Sequence, residues 1–230
     1  MQKSMINLLS TADVISLSNS ILGFLSIVMI FLGETYLSFS FILMAILADG
    51  LDGIIARKTK HSDLGEYMEA MADMISLGIA PSVFVYNNYV KNIMIIENIY
   101  WHSLLVIVLI VFLSFSIIRL ASFHIKREKT FFIGLPASAS TIIIIILTYF
   151  NIEFTYIFAV IFLMSLAMIS NIRFPKPNIK INATATIFII FTIIIGKNFN
   201  GIFPKTLLLL IIIYTLIGPI YILKRKKFLK

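Results

Sequence analysis

The sequence predicts an all-α fold, a polytopic membrane bundle of about eight transmembrane helices. Of its 230 residues, 60% are hydrophobic and 13% are charged, and no cysteine is present. The mean hydropathy is +1.00. Long apolar runs alternate with short polar breaks, whereas a soluble domain has a much smaller apolar share. The lack of cysteine excludes disulfides and thiolate metal sites.

The apolar runs predict a single integral membrane domain over residues 1–230. No small-residue cleavage site precedes the first run, so we expect it to be a retained span rather than a signal peptide. At ~20 residues each, the spans are expected near Val14–Leu32, Leu37–Arg57, Glu66–Val90, Tyr100–His124, Ile133–Phe150, Phe154–Ser170, Ile181–Ile195 and Thr206–Leu223.

The basic residues predict which side of the bilayer each loop faces. With eight spans, most of the 19 basic residues fall on one side, whereas the other side has only Lys91, Lys197 and Lys205. By the positive-inside rule, both termini and the turn Lys58–Leu64 then face the cytoplasm, as in a multi-pass protein of the cell membrane. Because the net charge of +8 follows topology, it does not indicate nucleic-acid binding. The residues on the basic side are Lys3, Arg57, Lys58, Lys60, Lys126, Arg127, Lys129, Arg173, Lys176, Lys180, Lys224, Arg225, Lys226, Lys227 and Lys230.

Acidic residues are concentrated around the predicted turn between the second and third spans. Asp49 and Asp52 are three residues apart, and Glu69 and Asp73 are four apart, so each pair occupies one helix face. Carboxylates close to lipid are costly and are usually retained for function. If the two faces meet across the turn, their oxygens suit Mg²⁺, Mn²⁺ or Ca²⁺.

The residues between the acids indicate a phosphorylated ligand. Gly50 and Gly53 leave one side of the second span without side chains, at a cost of roughly 1 kcal/mol each in helix propensity. Arg57 follows one turn later and offers a fork of donors that suits a phosphate. Gly65 precedes Glu69 by one turn and can also admit a ligand.

The complete pattern, Asp49-x2-Asp52-Gly53-x2-Ala56-Arg57-x7-Gly65-x3-Glu69-x3-Asp73, resembles the signature of the CDP-alcohol phosphatidyltransferases. Glu69 stands where that family usually has Asp, and the spacer before Gly65 is one residue shorter than in many members. The resemblance implies that Asp49, Asp52, Glu69 and Asp73 bind one or two divalent ions, Mg²⁺ or Mn²⁺. It implies that Asp52, Gly53, Ala56, Arg57 and Gly65 bind CDP, and that Asp73 is the catalytic base.

Two later stretches resemble the branch of this family that makes phosphatidylserine or archaetidylserine. They are the sequence around Arg119, FSIIRLASFH, and FFIGLPAS, which contains Gly134 and Pro136. Arg119, Gly134 and Pro136 are therefore candidates for binding the acceptor alcohol. The alternative to this binding role is that Arg119 extends its charged group to the membrane interface.

The resemblance implies a CDP-activated lipid, CDP-diacylglycerol or CDP-archaeol, and L-serine as substrates, with CMP as a product. It implies a homodimer among membrane lipids and core helices over residues 11–150. The predicted topology places the acidic hairpin, and with it the active site, at the cytoplasmic face. Residues 154–230 are expected to add packing helices.

Two other hypotheses remain open at this point. Glycerol phosphate or inositol phosphate could replace serine, because basic residues near Arg119 would suit their phosphate. A cation-coupled transporter would also explain buried acids, but it does not explain the paired glycines or the Ala56–Arg57 pair.

Overall fold

The structure, a computed structural model, describes residues 9–56, 64–91, 98–125, 128 and 130–227. Within these ranges, the side chains of residues 11–12, 52–56, 124–125 and 224–227 are outside the description.

The described residues form nine α-helices, one π-helical turn and two short strands. The helices are α1 (Thr11–Phe31), α2 (Thr35–Ala56), α3 (Gly65–Asp73), α4 (Ala80–Val90), α5 (Ile99–Ile125), α6 (Ala137–Tyr149), α7 (Phe154–Ile169), α8 (Ile179–Ile195) and α9 (Asn198–Lys227). The π-helical turn, Met74–Ile79, joins α3 to α4 without a break, so the described residues make eight helical passes. This confirms the predicted all-α membrane bundle.

These helical passes differ in length. Within the described ranges, four are long and apolar enough to cross a bilayer: Asp13–Phe31, Gly65–Val90, Ile99–Phe123 and Asn198–Leu223. Four further apolar helical segments of 10 to 17 residues are Thr35–Leu51, which is the part of α2 with described side chains, and Ala137–Tyr149, Phe154–Ile169 and Ile179–Ile195. The surface of the bundle exposes many large apolar side chains, including Phe24, Ile107 and Leu216, as expected for contact with lipid.

Helix α1 begins at a capping box. The Ser10 amide donates to Oδ2 of Asp13 (2.6 Å), and the Asp13 amide donates to the Ser10 hydroxyl (3.3 Å). This reciprocal pair satisfies two of the backbone donors that a helix N-terminus leaves free. It also defines the start of α1 close to the polar end of the bundle, where α2 ends and α3 begins. We call this the acid-bearing end, because Asp49, Glu69 and Asp73 belong to it.

The core lies between α2, α4, α5 and α6. Phe39, Phe84, Leu105 and Ile145 are fully buried there, one from each helix. Helix α6 is buried on almost all sides and contains a run of five isoleucines. It is therefore the central helix of the bundle, with lipid-facing helices around it.

A two-stranded antiparallel sheet closes the acid-bearing end beside α6. Strand β1 (Phe131–Ile133) pairs with β2 (Arg173–Pro175), and Phe132 lies opposite Phe174. The sequence predicted Ile133 as the start of a helix, but the helix begins only at Ala137. The reason is that β1 pairs with a segment about 40 residues away, which local periodicity does not reveal.

The last pass also differs from its predicted bounds. We expected it to begin at Thr206, whereas α9 begins at Asn198 and kinks at Phe199–Gly201, where φ is positive at all three residues. The helix then continues to Lys227, past the predicted end at Leu223.

Candidate functional site

Helix α1 contacts both helices that carry the predicted acidic motif. Asp49 lies near the end of α2 and Glu69 near the middle of α3, and both side chains are half-buried. Gly65 is the first residue of α3, and Asp73 is the last. Gly65, Glu69 and Asp73 are each four residues apart, so α3 carries them on one face.

Asp73 is the most deeply placed of the described acids in the motif. Its side chain is 7% exposed, and its Oδ1 accepts a hydrogen bond from the side-chain amide of Asn19 in α1 (2.8 Å). Asn19 is fully buried. A buried carboxylate needs such donors, because leaving an ionised group unsatisfied away from water is costly. Asp73 is therefore oriented by a residue 54 positions away.

Close backbone contact holds these two helices together. A Cβ atom on Gly23 would lie 2.9 Å from Cα of Ser76, closer than real Cβ atoms approach. Gly23 is one turn after Asn19, and Ser76 is one turn after Asp73. The absent side chain thus lets α1 approach the π-helical turn, and this approach brings Asn19 within reach of Asp73.

The donor chemistry of the acidic motif fits a hard divalent cation, because all its candidate ligands are carboxylate oxygens. Among the described side chains, however, no three acidic or histidine residues come together as one metal-binding group. The side chains of Asp52, Gly53 and Ala56, and the whole of Arg57, lie outside the described residues. The four-carboxylate site and the CDP contacts therefore stay predictions.

Arg119 lies in α5 at the corner between α6 and the two-stranded sheet. Its side chain is 7% exposed, and its Nε donates to the carbonyl oxygen of Leu135 (3.2 Å). The guanidinium also lies over the Phe123 ring, 5.4 Å from the centroid. Within the described part of the chain, the structure pairs no carboxylate with this cation. Buried charges are usually paired, so Arg119 retains the capacity to bind an anion.

Gly134 and Pro136 shape the turn that Arg119 contacts. Gly134 has a φ of +77°, and its amide donates to the carbonyl of Ile172 (2.8 Å). Pro136 is the N-cap residue of α6. The turn therefore connects β1, the loop before β2 and the central helix.

Arg119 and Asp73 lie towards the same end of the bundle. Gly78 of the π-helical turn faces Ser116 of α5, because a Cβ on Gly78 would lie 3.5 Å from the Ser116 hydroxyl. Asp73 is five residues from Gly78, and Arg119 is three residues from Ser116, both in the direction of the acid-bearing end. Each is therefore within about two helical turns of this contact.

Comparison with known proteins identifies the group to which this architecture belongs. The model of the CDP-alcohol phosphatidyltransferase family matches residues 9–220. The chain belongs to this family. The match includes the acidic motif, Arg119 and the Gly134 turn, and it confirms the resemblance inferred from the motif.

Named relatives of this CDP-alcohol phosphatidyltransferase family member come from archaea and bacteria. CDP-diacylglycerol–serine O-phosphatidyltransferase of Methanocaldococcus jannaschii is 32% identical over 216 residues, which cover 93% of this chain and 94% of that protein. Archaetidylserine synthase of Methanothermobacter thermautotrophicus is 33% identical over 180 residues, covering 76% and 73%. CDP-diacylglycerol–serine O-phosphatidyltransferase of Bacillus subtilis is 29% identical over 170 residues, covering 70% and 87%.

Sequence reasoning missed two features around this family motif. It did not identify Asn19 as the partner of Asp73, although the four-residue spacing of Asn19 and Gly23 marks a close-packing polar face. It also did not predict the π-helical turn directly after Asp73. Such turns are frequent at functional sites.

Proposed function

We propose that this protein transfers the phosphatidyl or archaetidyl group of a CDP-activated lipid to the hydroxyl of L-serine and releases CMP. The observation that carries the proposal is the buried, oriented carboxylate of Asp73, which ends the family motif. The names of the relatives, one of them matched over 94% of its length, support serine as the acceptor.

The proposed reaction is a substitution at the lipid-linked phosphorus. The serine hydroxyl oxygen forms a bond to this phosphorus, and the bond from phosphorus to the oxygen of CMP breaks. The electron pair of the broken bond leaves on the CMP phosphate. Asp73 accepts the proton of the serine hydroxyl, an assignment made from its position rather than from its basicity.

Asp49, Asp52, Glu69 and Asp73 are the residues that would hold Mg²⁺ or Mn²⁺. When bound, such an ion supplies positive charge that offsets the diphosphate and stabilises the departing phosphate. Gly53, Ala56 and Gly65 would let the nucleotide approach the helix backbones. Arg57 would bind a phosphate oxygen through its fork of donors.

On the acceptor side, we propose that Arg119 binds the carboxylate of serine. Its Nε is already committed to the Leu135 carbonyl, which orients the guanidinium. A guanidinium binds a carboxylate through two parallel hydrogen bonds. The Gly134 and Pro136 turn would shape this pocket, because it presents the carbonyl that holds Arg119.

We also propose that the acid-bearing end faces the cytoplasm, that both termini lie on that side, and that the protein is a homodimer. The orientation is supported by the distribution of basic residues along the sequence. The dimer is supported by the family resemblance. In this orientation the lipid tails stay in the bilayer while the headgroup reaches cytoplasmic nucleotide and serine.

The proposal is tested with purified protein in detergent, a CDP-lipid, Mg²⁺ or Mn²⁺, and a panel of alcohols, by measuring CMP release. We expect release with serine and with none of the other acceptors. Release with glycerol phosphate or inositol phosphate, but not with serine, would contradict the proposed acceptor. Parallel assays with CDP-diacylglycerol and CDP-archaeol distinguish ester-linked from ether-linked lipids.

The variant Asp52→Asn is expected to lower serine-dependent CMP release at least a hundredfold, because a neutral amide cannot replace an anionic metal ligand. Glu34→Gln is the matched control, since Glu34 is an exposed acid at the opposite end of the bundle. It should retain full activity. An unaffected rate in Asp52→Asn would refute the metal-ligand role.

A further inference from the structure

Asn19 has two polar groups in its side chain, and the structure satisfies one of them. The amide nitrogen donates to Oδ1 of Asp73. The carbonyl oxygen, Oδ1 of Asn19, is buried and has no hydrogen-bond partner among the described residues. Buried side-chain oxygens nearly always accept a hydrogen bond, so an unsatisfied one indicates a donor from outside the described residues, such as a bound substrate.

The neighbouring π-helical turn contains a second buried oxygen without a hydrogen-bond partner among the described residues. The Ser76 hydroxyl is fully buried and also has no partner within the described ranges. Ser76 packs against Gly23, one turn from Asn19. These two unsatisfied oxygens therefore lie along one seam between α1 and the turn that follows Asp73.

The position of Asn19 is held firmly by this seam. A Cβ added at Gly23 would clash with the Ser76 backbone, so α1 and the π-helical turn pack closely here only because Gly23 has no side chain. The hydrogen bond to Asp73 fixes the orientation of the amide, because exchanging its oxygen and nitrogen would place two acceptors against each other. The Asn19 oxygen is consequently a fixed acceptor beside the proposed catalytic base.

We propose that Asn19 is a specificity residue: it orients Asp73 through its amide nitrogen, and its Oδ1 accepts a hydrogen bond from the amino group of the acceptor alcohol. This inference rests on the proposed function. In serine, the amino group is on the carbon next to the one that carries the reacting hydroxyl. When Asp73 contacts that hydroxyl, the ammonium group is therefore close by, and it is a charged donor that binds a carbonyl oxygen well.

The test compares wild type with Asn19→Leu, which keeps approximately the volume of the side chain but removes both polar groups. We expect at least a tenfold increase in KM for serine, with KM for the CDP-lipid changed less than twofold. A lower kcat is expected as well, because Asp73 loses its orienting donor. Asn88→Leu is the matched control: Asn88 is half-buried, lies in α4 towards the end of the bundle opposite Asp73, and donates to the Phe84 carbonyl of its own helix (2.7 Å).

Two competitors of serine separate contact with the amino group from a general effect on the site. Ethanolamine keeps the amino group and the hydroxyl, whereas 3-hydroxypropionate keeps the hydroxyl and the carboxylate. We expect Asn19→Leu to raise the inhibition constant of ethanolamine at least fivefold and to leave that of 3-hydroxypropionate within twofold. Equal changes for both competitors would overturn the contact with the amino group.

The outcomes also separate this inference from the proposed function. If wild type releases CMP with serine and Asn19→Leu leaves KM for serine unchanged, the inference alone is wrong. If wild type shows no release with serine, the proposed function fails and the inference falls with it. Unfolding temperatures of the three proteins, measured with and without serine, check that the variants are folded and that only Asn19→Leu loses stabilisation by serine.

Discussion

Gly134 occupies a position that accepts no side chain. Its φ is +77°, and a Cβ atom would lie 2.1 Å from the carbonyl oxygen of Met168. The next residue, Leu135, donates its amide to the Ala167 carbonyl (2.9 Å) and offers its own carbonyl to Arg119. The position of the Arg119 guanidinium therefore depends on the backbone at Gly134.

We expect Gly134→Ala to destabilise the protein by about 3 kcal/mol or more, because left-handed strain adds to a clash with rigid backbone. Gly33→Ala is the matched control, since Gly33 also has a positive φ, +80°, but open space around its Cβ position. That variant should lose about 1 kcal/mol from strain alone. Equilibrium unfolding in detergent measures both, and equal losses would contradict the clash.

The π-helical turn is the element that connects the acidic face of α3 to the core. It follows Asp73 directly and continues into α4, whose Phe84 and Val85 are fully buried. Thr141 of the central helix α6 donates its hydroxyl to the Leu77 carbonyl within the turn (2.8 Å). Both residues are buried, so this bond ties the turn to the most enclosed helix of the bundle. Through it, the core supports the position of Asp73.

We expect Thr141→Val to destabilise the protein by about 1–3 kcal/mol, since a buried carbonyl loses its interhelical donor. Serine-dependent kcat should fall with it, because Asp73 immediately precedes the turn. The control is Thr192→Val. It removes a fully buried hydroxyl that bonds only the Phe188 carbonyl of its own helix. This change should cost less than about 1 kcal/mol and leave kcat unchanged. Indistinguishable effects of the two variants would show that the interhelical bond does not support the site.

In the molecule as a whole, the candidate site residues lie towards one end of the helix axes. Asp49, Glu69, Asp73 and Arg119 belong to one end, where Lys176 also lies over the Phe132 ring, whereas further lysine–aromatic pairs occur at the opposite end. There the ammonium of Lys197 lies 4.5 Å from the Tyr149 ring centroid. Trp101 packs edge-on against Phe154. Aromatic side chains at the end of a membrane bundle are typical of the lipid–water interface.

The absence of cysteine allows a direct test of orientation with single-cysteine variants. Asn171 and Glu153 are both exposed, at the acid-bearing end and the opposite end respectively. In intact cells, a membrane-impermeant maleimide should label Glu153→Cys, and it should label Asn171→Cys only after permeabilisation. The reverse pattern would overturn the proposed cytoplasmic site while leaving the fold intact.

The sequence by itself determined the membrane class, the number of helical passes and the family. These properties depend on composition and on spacing within single helices, so they can be recognised without knowing how the helices pack. The acidic motif is of this kind, because Glu69 and Asp73 share a face through helical periodicity alone.

Only the tertiary structure decided which distant residues meet the motif. Asn19 and Asp73 are 54 positions apart, and Thr141 and Leu77 are 64 apart. Strand β1 pairs with a segment beyond two intervening helices. Such pairings follow from close packing of whole helices, as at Gly23 and Ser76, and no local pattern encodes them. The residues that orient Asp73 are therefore set by packing, whereas the acidic motif that contains Asp73 is recognisable from its spacing.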